Sequence, residues 1–532
     1  MEFNLADLFE SVADAVPDRL ALVCGGRRLS YAQLDARANR LAHHLLAAGV
    51  MPGDHVGVYL FNGTEYIECM LAAFKIRAVP ININYRYVAG ELRALFRDSD
   101  LVALVHQREL SSRVTEAGDA SMPRRLVFVD DGSDMQPPPG AIEFERALEQ
   151  GPRSRGFASR SGDDLHVIYT GGTTGAPRGV MWRHEDLFFS GMAGGNPNGE
   201  PVPRPQEVAE RAAAGGVLVT FPVPPLMHGA AQLGSFIAFF MGGTVVLIPH
   251  FDAVEVWRLV EREHVNTISL VGDAMARPLA DALDLGLAVD TSSLFVISSA
   301  GAIFSDSVRE QLRRLLPNVL LLDNFGASET GFQGRATPDS SPEAGLKFAM
   351  NANTRVLDEQ LRPIAAGSGQ VGRVALGGRV PVGYYKDPEK TREVFAEVDG
   401  MRWVMPGDMG VVNADGSVTV LGRGSTCINS GGEKIFPEEV ESVLKSHPGV
   451  FDAVVVGVPD DRWGESVAAV VAPRPASNPS LDDLRSHCTG RIARYKLPRI
   501  LVAVPEVVRS PSGKPDYAWA RGIATSWVKS AS

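Results

Sequence analysis

Short apolar runs alternate with helical-period segments through the first two-thirds of this chain. His55–Phe61 reads as a strand, Glu65–Arg77 as a helix and Ala78–Ile83 as the next strand. Leu101–His106, Leu126–Val129 and Leu165–Ile168 add apolar strands. Val265–Val271, Leu294–Ser298 and Val319–Asp323 follow, with a helix over Asp306–Leu316 between the last two. Such alternation predicts layered α/β sheets with ligands at the strand ends. Asp131–Gly140 and Gly191–Gly216 break the pattern. The second reads either as an insertion on the rim of a pocket or as a mobile excursion.

From Gln370 the strand signals shorten to Val371–Leu376, Gly410–Asn413 and Val418–Leu421. After Gly422-Arg423-Gly424 comes a tail with its own apolar pattern. It predicts helix Pro437–Ser446, strands Ala453–Gly457 and Val467–Ala472, helix Leu481–Ile492 and strand Ile500–Val504. A chain of 532 residues exceeds one ordinary core, so a second domain is expected there.

Composition narrows the class. Hydrophobic content of 45% and charged content of 22% describe a globular protein rather than a disordered one. A net charge of −11 argues against a nucleic-acid surface. The start Met1-Glu-Phe-Asn-Leu-Ala-Asp is acidic where a signal peptide is basic. Leu233–Ile248 carries no charge, but it falls short of the about 20 residues a bilayer needs, and Gly242-Gly243 interrupts it. It reads as a buried helix and then a buried strand, so no transmembrane segment is expected. Cys24, Cys69, Cys427 and Cys488 are scattered without metal or disulfide spacing, which suits a reducing cytoplasm.

The candidate chemistry begins with the loop Tyr169-Thr-Gly-Gly-Thr-Thr-Gly-Ala-Pro-Arg-Gly179. Gly171, Gly172 and Gly175 bring backbone N–H groups close to an anion. Thr170, Thr173 and Thr174 add hydroxyls, one of which can hold a metal, and Arg178 adds fixed positive charge. A flexible surface loop explains the glycines but not the threonines and the cation. After Val319–Asp323 stands Asn324-Phe-Gly-Ala-Ser-Glu-Thr330, where Phe325 suits a stacked base and Glu329 a divalent metal. A helix cap is the plainer reading of Glu329.

These motifs resemble, in order, those of the adenylate-forming enzymes: acyl-CoA synthetases, adenylation domains and luciferases. The resemblance runs from Leu29-Ser-Tyr-Ala-Gln-Leu34 to Lys514, and the wording Val180-Met-Trp-Arg-His-Glu185 is most similar to fatty-acyl and steroid side-chain CoA ligases. Departures are Gly171 for serine and Arg178 for lysine in the loop, Phe325 and Ser328 for tyrosine and threonine, Pro406 for the threonine before Gly407-Asp408, and Ser425 for the usual charged hinge residue.

The resemblance implies roles residue by residue. The phosphate loop, Asn324, Phe325, Gly326 and Ser328 bind ATP, with Gly301 and Ala302 of Ser298-Ser-Ala-Gly-Ala302 against the other face of adenine. Asp408 and Arg423 hold the ribose; Thr173 and Glu329 hold Mg2+. Lys514, in Arg509-Ser-Pro-Ser-Gly-Lys514, neutralises charge as the carboxylate attacks the α-phosphate, though a lysine on a polar loop is normally just solvated. His228 lies near the acyl group and thiol path, with a satisfied buried histidine as its rival. Gly229, Ala230, Val271, Gly272 and Gly301 line the acyl and CoA side, joined by Ser430, Gly431 and Gly432 of a glycine stretch that equally reads as a β-turn.

The whole predicts an α/β protein with a large multilayered N-terminal domain of mixed sheets and helices and a small mobile α+β C-terminal domain. Residues 1–422 form the first, 423–425 a hinge and 426–532 the second. The implied activity is ATP-dependent synthesis of an acyl-CoA from a hydrophobic carboxylic acid, fatty or steroid-derived, through an acyl-adenylate. ATP, Mg2+ and CoA are the implied cofactor and substrates. Loading of a carrier-protein thiol and a non-catalytic nucleotide-binding regulator are the alternatives. A cytoplasmic place is expected, with peripheral membrane association and a homodimer left open.

Overall fold

The alternating strands of the first two-thirds build two large sheets, and the tail builds a third of its own. The computed structural model describes every residue except 150, 171–176, 198, 338–345, 431–432, 461, 510–512 and 532. Among the described residues the sheets have fifteen, eight and five strands.

In the eight-stranded sheet, His55–Tyr59 is central and runs parallel to Val79–Asn82 and Leu101–Gln107. Val79–Asn82 also neighbours Leu165–Thr170, which delivers the phosphate loop. The chain returns from that loop as Arg178–Arg183, antiparallel to Leu165–Thr170. Beta-branched runs buried along their whole length explain why these strands lie inside the sheet.

In the fifteen-stranded sheet, Val219–Pro222, Thr267–Leu270, Val296–Ala300 and Leu320–Ala327 are parallel. Leu320–Ala327 then turns at Ser328-Glu329-Thr330 and pairs antiparallel with Gly331–Ala336. The sheet changes from parallel to antiparallel at Glu329. Asn324, Phe325 and Gly326 therefore stand on the strand itself, which is longer than the apolar run predicted.

Several expectations are corrected. Gly191–Gly216 is not an unattached excursion throughout, because it contains helix Gln206–Ala214, whose Val208 and Ala212 are buried against the first helix, Leu5–Ala15. Helix Tyr31–Ala47 falls outside the predicted elements, although a capping box announces it: Ser30 and Gln33 exchange bonds at 2.8 and 3.3 Å. Helix Leu481–Cys488 stops before Ile492, since Thr489 is extended and Gly490 has φ +83°. Leu233–Ile248 divides as expected, into the end of helix Gly229–Phe240 and strand Thr244–Leu247, with Gly242 at φ +70° between them. Among the described residues no helix is long and apolar enough to cross a membrane.

The five-stranded sheet starts at Ile428, directly after the strand Val418–Arg423 of the large sheet. Its long hairpin, Val450–Asp460 against Gly464–Pro473, is covered by helix Pro437–Lys445 on one side and Tyr517–Ala531 on the other.

Candidate active site

A cavity of about 200 Å3 lies where the small domain meets the ends of the large sheet. Around it stand Gly301, Ala302, Asn324, Phe325, Gly326, Asp408, Arg423 and Lys514, eight residues expected to bind nucleotide. Gly301 follows strand Val296–Ala300 with φ +81°, and nothing lies within 4 Å of where its Cβ would be. Phe325 is backed by Phe348, their ring centroids 5.3 Å apart, leaving a flat apolar wall. Asp408 and Arg423 face each other across paired strands, with Nε 3.6 Å from Oδ1.

Lys514 retains accessible surface, and that surface belongs to the cavity. Burial and then the charge of Arg423 push its ammonium below the ordinary lysine value, while Glu329 and Asp408 oppose them. The cavity thus carries a cation held next to another cation, an arrangement that favours an anion between them. Asp323, which also lines the cavity, was not among the expected site residues. Burial raises its carboxyl to about 7, against the charge of Arg309 3.8 Å away.

Glu329 sits in the hairpin turn beside the cavity. Trp182 Nε1 donates to the Ser328 carbonyl at 2.8 Å, and the Tyr384 hydroxyl donates to Glu329 Oε1 at 2.9 Å. Trp182 lies on the strand that leaves the phosphate loop and Tyr384 on its neighbour Gly383–Tyr384: Tyr384 is paired with Val180, and Tyr385 N–H donates to the Gly179 carbonyl at 2.8 Å. Neither was readable as functional in the sequence.

Arg178 does not present its whole charge to the loop. Its Nε donates to Asp387 at 2.9 Å, so one edge of the guanidinium fork is taken. Asp387 also accepts from Lys390 N–H, capping helix Pro388–Val394. Thr170 ends its strand opposite Arg178. Gly171, Gly172, Thr173, Thr174 and Gly175 lie outside the described residues, as do Gly431 and Gly432.

Of the described acyl-side residues only Gly301 is on this cavity wall; His228, Gly229, Ala230, Val271, Gly272 and Ser430 are not. His228 occupies the N-cap position of helix Gly229–Phe240, Gly229 packs on Ile168 and Ala230 is exposed. The segment Pro224–His228 is held by buried Asn62 and Asn82. Asn82 accepts from Tyr169 N–H at 2.7 Å and donates to the Tyr169 and Met227 carbonyls at 2.8 and 2.6 Å. One amide thus ties the strand before the phosphate loop to the residue before His228. Val271 and Gly272 were expected to line the acyl cavity and do not line this one. Val271 is core, and Gly272 (φ +53°) is packed so that a Cβ would strike the Ile303 carbonyl. Ser430 pairs with Glu433 in the small sheet.

Residues 9–385 match the family model described as AMP-binding enzyme, and residues 439–514 match that of the AMP-binding enzyme C-terminal domain. The chain belongs to the AMP-binding enzyme family. This AMP-binding enzyme is 49% identical over 527 residues to the medium/long-chain-fatty-acid--CoA/3-oxocholest-4-en-26-oate--CoA ligase of Mycobacterium marinum, covering 97% of this chain and 96% of the relative. It is 48% identical over 533 residues to the 3-oxocholest-4-en-26-oate--CoA ligase of Rhodococcus rhodochrous, covering 98% and 96%. Its fold matches the crystal structure of the anthranilate CoA ligase AuaEII in complex with anthranoyl-AMP, with a TM-score of 0.85 at 23% identity over 99% of this chain and 98% of the other.

Proposed function

We propose that this AMP-binding enzyme is an ATP-dependent acyl-CoA synthetase for hydrophobic carboxylic acids, either fatty acids or steroid side-chain acids. The observation that carries the reading is the enclosure of Lys514 with Arg423, Asp408 and Phe325 around one cavity of nucleotide character. The printed activities of the relatives at 48% and 49% identity support CoA as acceptor and this class of acid.

In the first half-reaction the substrate carboxylate forms a bond to the α-phosphorus of ATP and pyrophosphate leaves. Lys514 and the phosphate loop hold the developing negative charge. Phe325 and Gly301–Ala302 hold the base, and Asp408 accepts from the ribose hydroxyls with Arg423 beside it. In the second, the CoA thiol loses its proton, its sulfur bonds to the acyl carbon and AMP leaves. Rotation of residues 426–532 about 423–425 removes Lys514 between the two, and Ser430 with the glycines after it then lines the pantetheine path beside His228.

Mg2+ fits the residues present. Glu329 Oε1 accepts from Tyr384, which leaves Oε2 as a hard oxygen ligand. Among the described residues no three acidic, His or Cys side chains gather to hold a metal without help. That suits an ion taking one or two protein oxygens and the remainder from phosphate and water. When bound, it would neutralise phosphate charge.

The test is AMP and pyrophosphate release with Mg·ATP against short, straight-chain, aromatic and steroid side-chain acids, with and without CoA. AMP formation that turns over with CoA is the expected outcome. Adenylate formed without transfer to CoA would replace CoA by a carrier-protein thiol. ATP binding without pyrophosphate release from any acid would leave a nucleotide-binding regulator.

A further inference from the structure

We infer that Arg509, clamped by Asp452, is a positioning residue for Lys514. The inference rests on the reading of Lys514 as the group acting at the α-phosphate. Arg509 donates through Nε and Nη2 to Asp452 Oδ2 and Oδ1 at 2.7 and 2.6 Å, the bidentate fork that fixes a guanidinium plane. Its remaining terminal nitrogen, Nη1, donates to the Gly513 carbonyl at 2.7 Å. That carbonyl belongs to the peptide unit joining Gly513 to Lys514. The plane set by Asp452 therefore orients the peptide from which the Lys514 side chain departs.

Asp452 is held in turn. Its Oδ1 accepts from Ala453 N–H at 2.8 Å and lies 3.4 Å from Lys445 Nζ. Burial works to raise its carboxyl, yet Lys445 and Arg509 hold it down to about 2, so it stays anionic. The two clamp side chains are only 13% and 14% exposed, which limits screening of the pair. Arg509 also forms an isolated antiparallel bridge with Pro515, the residue after Lys514. On its other side Gly513, at φ +75°, rests on Val271 and Ala274 of the large domain. Gly513 is thus gripped between the clamp and the large domain.

Asp452, Arg509, Gly513 and Lys445 all belong to the small domain and would travel with Lys514. Loosening the clamp therefore bears on the half-reaction in which Lys514 is present. Lysine cannot replace Arg509 here, because one ammonium cannot hold a planar carboxylate pair and a carbonyl on the opposite edge at once.

The experiment compares pyrophosphate release from dodecanoate and ATP with thioester formation from supplied dodecanoyl-adenylate and CoA, in the full chain. Arg509→Lys and Asp452→Asn should each lower adenylation turnover by about 10- to 100-fold, as a small misplacement of a catalytic charge does. Thioester formation, which also reports folding, should stay within about twofold, and neither substitution should add to the loss caused by Lys514→Ala. Equal losses in both half-reactions would overturn positioning. So would intact adenylation in Arg509→Lys where Lys514→Ala abolishes it. Intact adenylation in Lys514→Ala would overturn the reading of Lys514, and this inference with it.

Discussion

Trp182 and Tyr384 approach the Glu329 turn from one strand pair, one bonding its backbone and the other its carboxylate. The division of labour separates two effects experimentally. Tyr384→Phe keeps the ring that packs on Phe395 and removes only the hydroxyl. A hydrogen bond to a charged group contributes about 1.5–3 kcal/mol, so the freed carboxylate should need roughly tenfold more magnesium for half-maximal pyrophosphate release. A magnesium titration checks this; an unchanged half-saturation would assign Tyr384 to packing alone. Glu329 was legible as a candidate from its neighbours in the chain. Tyr384 was not, because the bond spans 55 positions and nothing local marks one tyrosine among ten. The same holds for Asp387, which takes one edge of Arg178 from 209 positions away.

Helices Leu5–Ala15, Tyr31–Ala47 and Thr64–Lys75 meet on one buried cation. Lys75 is 0% exposed, and its Nζ bonds Glu10 at 2.5 Å and Asp35 at 2.6 Å. Arg160 and Arg155 complete the network from the segment before the phosphate-loop strand. Removing one partner of a buried ion set leaves uncompensated charge, so Lys75→Ala should cost about 3–5 kcal/mol in denaturant unfolding. A loss under about 1 kcal/mol would mean that the two arginines neutralise both carboxylates unaided. Hydrophobic period places Thr64–Lys75 correctly to within about two residues, the usual uncertainty at helix ends. It is silent about helix Gln206–Ala214, where Val208 and Ala212 form a narrow stripe that makes sense only against Leu5–Ala15.

The two domains meet at Glu438, whose carboxylate occupies the space a side chain at Gly422 would need; Gly422, at φ +125°, has none. Burial first, then Glu441 and Asp408, raise the Glu438 carboxyl to about 8, while backbone N–H groups, that of Arg423 included, oppose the rise. Arg423 and Asp408 face it from the large domain, Glu441 from its own helix and Tyr517 from the last helix. A raised carboxyl stabilises this arrangement fully below the ordinary range near 4.5 and loses that contribution as pH rises through about 8. Adenylation should therefore fall more steeply than thioester formation between about pH 5 and about pH 8, and Glu438→Gln should flatten the difference. Superimposable pH profiles of the two half-reactions in the unsubstituted protein would contradict this. By itself the sequence determined the kind of elements and the chemical content of the site. Period and apolar runs depend on residues a few positions apart, and Gly301, Phe325, Asp408, Arg423 and Lys514 announce themselves within short motifs. Only the tertiary structure decided which groups stand against the candidate site residues, Glu329 and Arg178 among them. Tyr384, Asp387, Asp452 and Glu438 act through directional bonds or exclusion of solvent, and those depend on positions brought within about 3 Å by sheet pairing and domain contact, which no local pattern encodes.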